Sequence, residues 1–98
     1  MTINETKNGS ELVITPEGRL DTTTAPELEQ KVKELITGVT DLVFDLSKLE
    51  YISSAGLRVL LSTQKIMEKQ GKMKFINVSD IIMEIFDVTG FSEILTIE

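Results

Sequence analysis

The stretch that decides the fold of this chain is residues 51–61, YISSAGLRVLL. A short apolar, strand-like run leads into two serines, and a strongly helical segment follows them. The first turn of a helix carries unpaired backbone N–H groups and the positive end of the helix dipole, and therefore accepts negative charge readily. A phosphoserine there would add roughly −1.5 to −2 charge at pH 7. The simpler interpretation is that Ser53 or Ser54 only caps the helix, as serine commonly does.

The composition limits the number of domains and the kinds of partner that this chain can have. The 98 residues are 41% hydrophobic, which suits one domain over residues 1–98 with a single core. The formal net charge of −6 opposes binding to nucleic acid and to anionic membranes. The N-terminal ten residues are polar and no segment is long enough to cross a bilayer, so we expect a cytoplasmic protein.

The residue types that carry most enzyme chemistry are missing. Cysteine and histidine are both absent, which excludes disulfides and thiol chemistry and leaves only carboxylates or lysines as general bases. No phosphate-binding loop, dinucleotide-binding motif or calcium-binding loop occurs. We therefore expect no catalytic residues, no metal and no cofactor.

The segments before residue 51 predict a hairpin and a helix. Strands near Ile3 and over residues 11–15 are joined by the turn-forming pair Asn8 and Gly9. A helix then begins with Thr24 as its N-cap and Glu27 as the partner residue of a capping box. Apolar residues at helical spacing follow this start.

The rest of the chain continues to alternate strand and helix. Residues 41–46 are typical of a strand buried on both faces, and a helix is predicted from near Ser54 to about residue 70. A strand over residues 73–78, a short helix capped by Ser79 and a last edge strand over residues 94–97 complete the pattern. This alternation predicts the α/β class, with a mixed sheet covered by helices.

The central helix leaves a narrow polar strip. Its apolar residues cover roughly two-thirds of the circumference, and Ser54, Arg58, Lys65 and Lys69 occupy the remainder. Ser54 and Arg58 have the i, i+4 spacing at which side chains meet on a helix. Arg58 could therefore pair with a phosphate on Ser54, or it could be an ordinary solvating charge on an exposed face.

Four segments together carry a family resemblance. Residues 51–57 (YISSAGL) resemble the phosphorylation-site motif of the anti-sigma-factor antagonists, which are small bacterial proteins of the STAS domain family. Residues 18–21 (GRLD) resemble the Gly-x-Leu-Asp before the first helix of that family. Residues 42–46 resemble the strand before the phosphorylation loop, and residues 86–91 (FDVTGF) resemble the family's C-terminal motif. The resemblance covers essentially the whole chain and implies a single STAS-like domain.

The resemblance also implies a function as a regulatory switch. In the family, the serine directly before the small-residue-Gly-Leu triplet takes the phosphate, and that residue here is Ser54. The implied partner is an anti-sigma factor that is also a serine kinase. Unphosphorylated protein would bind it and free a sigma factor, phosphorylation would end the binding, and a serine phosphatase would restore it. The chain would then be a substrate of enzymes and not itself an enzyme.

One residue departs from the family pattern. Many members carry aspartate immediately before the phosphorylated serine, where this chain has Ser53. Ser53 therefore remains an alternative acceptor, and a form that is never phosphorylated remains open. The residues that the resemblance places at the border of the partner contact are Asp21, Ser53, Gly56, Leu57 and Arg58.

Two of these residues also have purely structural interpretations. Gly56 would either let a partner backbone approach or allow the helix to pack closely on the sheet. Asp21 could instead be a turn-forming or capping residue. An alternative for the whole chain is a STAS-type accessory subunit of a transporter or lipid-transport complex, which would share the fold without needing phosphorylation.

Overall fold

The computed structural model describes residues 1–98, which form five strands and three helices around one hydrophobic core. The strands are β1 (Thr2–Asn8), β2 (Glu11–Leu20), β3 (Asp41–Asp45), β4 (Leu49–Ile52) and β5 (Lys72–Ile76). The helices are α1 (Ala25–Leu35), α2 (Ser54–Glu68) and α3 (Asp80–Thr89), and a single 3₁₀ turn (Phe91–Glu93) follows them. The α/β class with a mixed sheet is confirmed.

The sheet has the strand order β1-β2-β3-β5, with β4 also paired to β2. β1 is antiparallel to β2, whereas the pairings of β2 with β3 and β4, and of β3 with β5, are parallel. β2 changes partner along its length: residues 11–14 pair with β3, and residues 18–20 pair with β4 with an irregularity between Gly18 and Arg19. The change of partner brings β4 beside the carboxyl end of β2.

The core lies between the helices and one face of the sheet. Alternate residues of β2, β3 and β5 point into it, because successive side chains of a strand face opposite sides. These residues are Leu12, Ile14, Leu42, Phe44, Met73 and Phe75. Phe75 stacks on Phe44 with ring centroids 5.2 Å apart and meets the edge of Phe86 from α3 at 5.9 Å. Burial of each such side chain contributes roughly 1.5–3 kcal/mol.

Several sequence-based predictions need correction. The hairpin of β1 and β2 is confirmed, but β2 continues past Thr15 to Leu20. The short strand β4 was not predicted as an element of its own. The last edge strand is wrong, since residues 94–97 contribute only one isolated bridge, between Ile97 and Phe75. None of the helices has the length and apolar run that crossing a bilayer requires.

The capping box at the start of α1 is also wrong. Thr24 occupies the N-cap position, but its side chain makes no capping hydrogen bond. Its hydroxyl instead donates to the carbonyl of Arg19 at 2.7 Å and accepts from the N–H of Asp21 at 2.8 Å. The Thr24 hydroxyl is therefore engaged in the turn before the helix and does not cap it.

Candidate functional site

Two loops meet where β2 and β4 end. The strands are parallel with Leu20 beside Ile52, so the residues that follow each strand emerge at the same edge of the sheet. The N–H of Ser53 donates to the carbonyl of Leu20 at 2.8 Å and ties the loops together. We refer to the surface formed by residues 21–24, Ser53 and the exposed side of the first turn of α2 as the rim. The structure thus brings together Asp21 and the two serines, which lie some thirty positions apart in sequence.

Asp21 organises the first of these loops. Its Oδ1 accepts from the N–H groups of Thr23 at 3.0 Å and Thr24 at 3.2 Å, and from the Thr23 hydroxyl at 2.7 Å. The Thr23 hydroxyl is the largest influence on the pKa of Asp21, and together with the backbone hydrogen bonds it holds that pKa below its usual value against the opposing effect of desolvation. The turn-forming interpretation of Asp21 is therefore correct. A third of its side chain is still exposed at the rim.

Arg19 is a rim neighbour that the sequence-based reasoning missed. Its guanidinium carbon lies 4.4 Å from the centroid of the Tyr51 ring, with which it is in register across β2 and β4. Its Nε also lies 4.0 Å from Oδ2 of Asp21. These contacts hold an exposed arginine in place by a cation–π interaction and an ion pair. No local sequence pattern signals this arrangement, because it depends on the pairing of two distant strands.

The two serines have different environments at the start of α2. Ser53 is the N-cap, with extended backbone angles, yet its hydroxyl makes no capping bond. That hydroxyl is buried and has no hydrogen-bond partner. Ser54 is the first residue of the helix and is exposed. Of the two hydroxyls, the one on Ser54 is open to a second protein.

Gly56 and Leu57 lie beneath the rim surface. A Cβ on Gly56 would come within 2.6 Å of the Leu20 Cγ and 2.9 Å of the Ile52 Cγ1. Glycine is therefore needed there for the close packing of α2 on the sheet, which is the structural alternative left open above. Leu57 is only 5% exposed and belongs to the core. Neither residue offers a partner much surface in this conformation.

Arg58 stands one turn along α2 from Ser54 and is exposed. It borders a groove of about 360 Å³ between the start of α1 and α2, whose other lining residues are Thr22, Ala25, Pro26, Glu29, Ala55, Val59 and Ser62. Arg58 takes part in none of the five ion pairs of the structure. A larger groove, of about 530 Å³, is lined by residues such as Glu11 and Lys72 at the opposite end of the strands and includes no rim residue.

The comparisons with known proteins identify the family of this chain. The family model described as the STAS domain matches residues 2–98. The chain is 33% identical over 92 residues to the anti-sigma-B factor antagonist of Bacillus subtilis (strain 168), a match that spans 93% of this chain and 84% of the relative.

Solved structures show the same fold. The crystal structure of an anti-sigma factor antagonist from Mycobacterium paratuberculosis superposes with a TM-score of 0.88 at 25% identity, over 98% of this chain and 83% of that one. The Bacillus cell fate determinant SpoIIAA in its phosphorylated form gives a TM-score of 0.76 at 19% identity, over 99% of this chain and 91% of that one.

Proposed function

Because the chain belongs to the STAS domain family, we propose that it is an anti-sigma factor antagonist that is switched off by phosphorylation of Ser54. The unphosphorylated rim would bind an anti-sigma factor that is also a serine kinase, so that a sigma factor is released. This role in transcription places the protein in the cytoplasm. The observation that carries the proposal is that Ser54, the first residue of α2, is exposed, whereas the neighbouring Ser53 hydroxyl is buried.

In the proposed reaction this chain accepts a phosphoryl group through Ser54. The Ser54 Oγ forms a bond to the γ-phosphorus of ATP as the bridging P–O bond breaks, ADP leaves, and the hydroxyl proton passes to a base of the kinase. A serine phosphatase reverses the modification by hydrolysis. We name Ser54 as the acceptor over Ser53, since a kinase would have to move the chain to reach the buried hydroxyl.

The effect of the phosphate follows from charge and desolvation. A phosphate adds roughly −1.5 to −2 charge at a surface that the partner must cover. Repulsion and desolvation of about 3 kcal/mol would already weaken binding roughly a hundredfold. Among the five contact residues that the resemblance implies, Asp21 and Ser53 belong to the rim and Arg58 borders it, whereas Gly56 and Leu57 are buried beneath it.

The proposal is tested by incubating the protein with each anti-sigma kinase of its own genome, with and without ATP. Mass shift and complex formation are measured together. We expect one kinase to bind the unmodified protein and to add a single phosphate. Ser54→Ala should abolish the mass shift and leave binding intact, whereas the matched control Ser53→Ala should be modified like wild type.

Ser54→Asp should bind the same kinase at least tenfold more weakly than wild type. If no kinase binds or modifies the chain, the switch is excluded and the accessory-subunit alternative becomes the better one. A phosphate that Ser53→Ala removes and Ser54→Ala leaves in place would refute the choice of acceptor.

A further inference from the structure

The chain contains only two arginines, and both lie beside the rim. This placement matters because the formal net charge is −6, with sixteen acidic residues against ten basic ones. Arginine is the side chain best suited to bind carboxylates and phosphates, since its planar guanidinium can donate two parallel hydrogen bonds. The rim therefore combines the two strongest anion-binding side chains of an acidic protein.

The two arginines differ in what they contact. Arg19 is held against the Tyr51 ring and lies 4.0 Å from the Asp21 carboxylate. Arg58 is exposed, has no carboxylate within ion-pair distance and faces the groove between α1 and α2. Glu29 borders the same groove but does not pair with it. Arg58 is thus the rim arginine that is free to bind an external anion.

Ser54 lies where a phosphate on its hydroxyl could bind the Arg58 guanidinium. The two residues are four apart on the same exposed strip of α2, so their side chains are neighbours. The first turn of α2 contains no acidic residue that would compete for Arg58. A phosphate on Ser54 would be the nearest strong anion on the helix.

We propose that Arg58 binds two anions in turn: a carboxylate of the anti-sigma partner when Ser54 is free, and the phosphate when Ser54 is modified. This inference rests on the proposed function and adds a regulatory step to it. Phosphorylation would then act by withdrawing the anchor of the partner as well as by repulsion. The acidic partner segment would lie in the groove that Arg58, Thr22 and Ser62 help to line.

The contact within the chain is tested without any kinase. Phosphoserine is installed at position 54 during translation, and its second pKa is measured by ³¹P NMR titration in wild type and in Arg58→Gln. A cation at about 4–6 Å in water stabilises the dianion by about half a pKa unit, so the pKa should rise by that amount in the variant. The pKa in Arg58→Lys should lie between the values for wild type and Arg58→Gln. Lys65→Gln, which removes another exposed cation of α2, should match wild type. Equal pKa values in wild type and Arg58→Gln would overturn the proposal.

The contact with the partner is tested with the kinase identified by the mass-shift experiment. Arg58→Gln in its unphosphorylated form should bind that kinase about tenfold more weakly, with a weaker dependence on salt concentration. Lys65→Gln should bind like wild type. Unchanged affinity in Arg58→Gln would overturn the two-anion proposal while leaving the Ser54 switch intact, whereas failure of the switch itself appears only as the absence of a Ser54-dependent mass shift.

Discussion

Helices α2 and α3 begin with the same residue type in the same backbone conformation, and they complete that start differently. Ser53 and Ser79 are both N-caps with extended backbone angles. The Ser79 hydroxyl accepts from the N–H of Ile82 at 3.3 Å, and Asp80 places a carboxylate in the first turn. The Ser53 hydroxyl is buried without a partner, and the first turn of α2 contains no acid.

The difference separates a helix start that the chain completes by itself from one that, under the proposed function, phosphorylation would complete. At α3 the chain itself supplies both the capping oxygen and the negative charge that stabilise a first turn. At α2 both are missing, and Ser54 occupies the position that Asp80 occupies in α3. Phosphorylation of Ser54 would add the missing charge. Ser54 would give α2 an uncharged start without the phosphate and a charged start with it, whereas the carboxylate of Asp80 gives α3 its negative charge permanently.

The largest contrast is expected at the third helical position, which is Ile82 in α3 and Gly56 in α2. Ile82 is fully buried, so Ile82→Ala should lower the free energy of unfolding by about 2–5 kcal/mol. Gly56→Ala would overpack against Leu20 and should cost about 1–3 kcal/mol despite the better helix propensity of alanine. Urea unfolding measures both. A Gly56→Ala protein as stable as wild type would show that Leu20 can move and that close packing does not require glycine.

The capping residues give the next contrast. Ser79→Ala removes a hydroxyl that caps α3 and should cost about 1 kcal/mol. Ser53→Ala removes a buried hydroxyl with no partner, so the change should be neutral or stabilising by up to about 1 kcal/mol. The two variants are matched in chemistry and in helix position. If both lose the same stability in urea, the Ser53 hydroxyl does cap α2 in solution and the comparison between the two helix starts fails.

A smaller effect is expected from exchanging the charges at the first helical position. Ser54→Asp should stabilise the free protein by about 0.3–1 kcal/mol, and Asp80→Ser should destabilise it by a similar amount. Both effects should shrink in high salt, because the interaction of an exposed charge with a helix dipole is screened. Thermal unfolding at low and high ionic strength would measure both stability changes and their dependence on salt. Destabilisation by Ser54→Asp would mean that the α2 start does not favour negative charge.

Sequence reasoning was most successful where the signal is local. The start of α2 at Ser54 and the capping of α3 by Ser79 follow from residue types within a few positions of one another. The family resemblance was confirmed for the same reason, since its motifs are short and contiguous. The capping box at Thr24 failed because the turn around Asp21 competes for the same hydroxyl.

The features that could not be predicted depend on strand pairing. Arg19 meets Tyr51 only because β2 changes its partner from β3 to β4 near Gly18, and local sequence does not identify the new partner strand. The sequence allows two interpretations of Gly56, and only the folded structure places the Leu20 Cγ within 2.6 Å of the position that a Cβ would take. The lack of an ion-pair partner for Arg58 is likewise a property of the folded surface, because it depends on which carboxylates lie near the guanidinium.

The start of α1 extends the comparison and gives the last prediction, which concerns pH. There the negative group is Asp21, which accepts N–H groups just before the helix and whose pKa is lowered chiefly by the Thr23 hydroxyl. A carboxyl with a lowered folded pKa stabilises the protein above its unfolded pKa, near 3.8, and loses that contribution as the pH falls through the folded value. Asp21→Asn should therefore flatten the acid limb of stability against pH below about pH 4.

Asp45→Asn provides the control that localises this effect. Burial alone would raise the pKa of Asp45, but hydrogen bonds from the Ser47 N–H and the Asn77 side chain lower it, so this variant should flatten the same limb. The amide signals of Thr23 and Thr24 distinguish the two. They should shift with acid in wild type and in Asp45→Asn, and stay constant in Asp21→Asn, because only Asp21 accepts their protons. If those amides still titrate in Asp21→Asn, another group supplies the charge at the start of α1, and the contrast with the uncharged start of α2 no longer rests on Asp21.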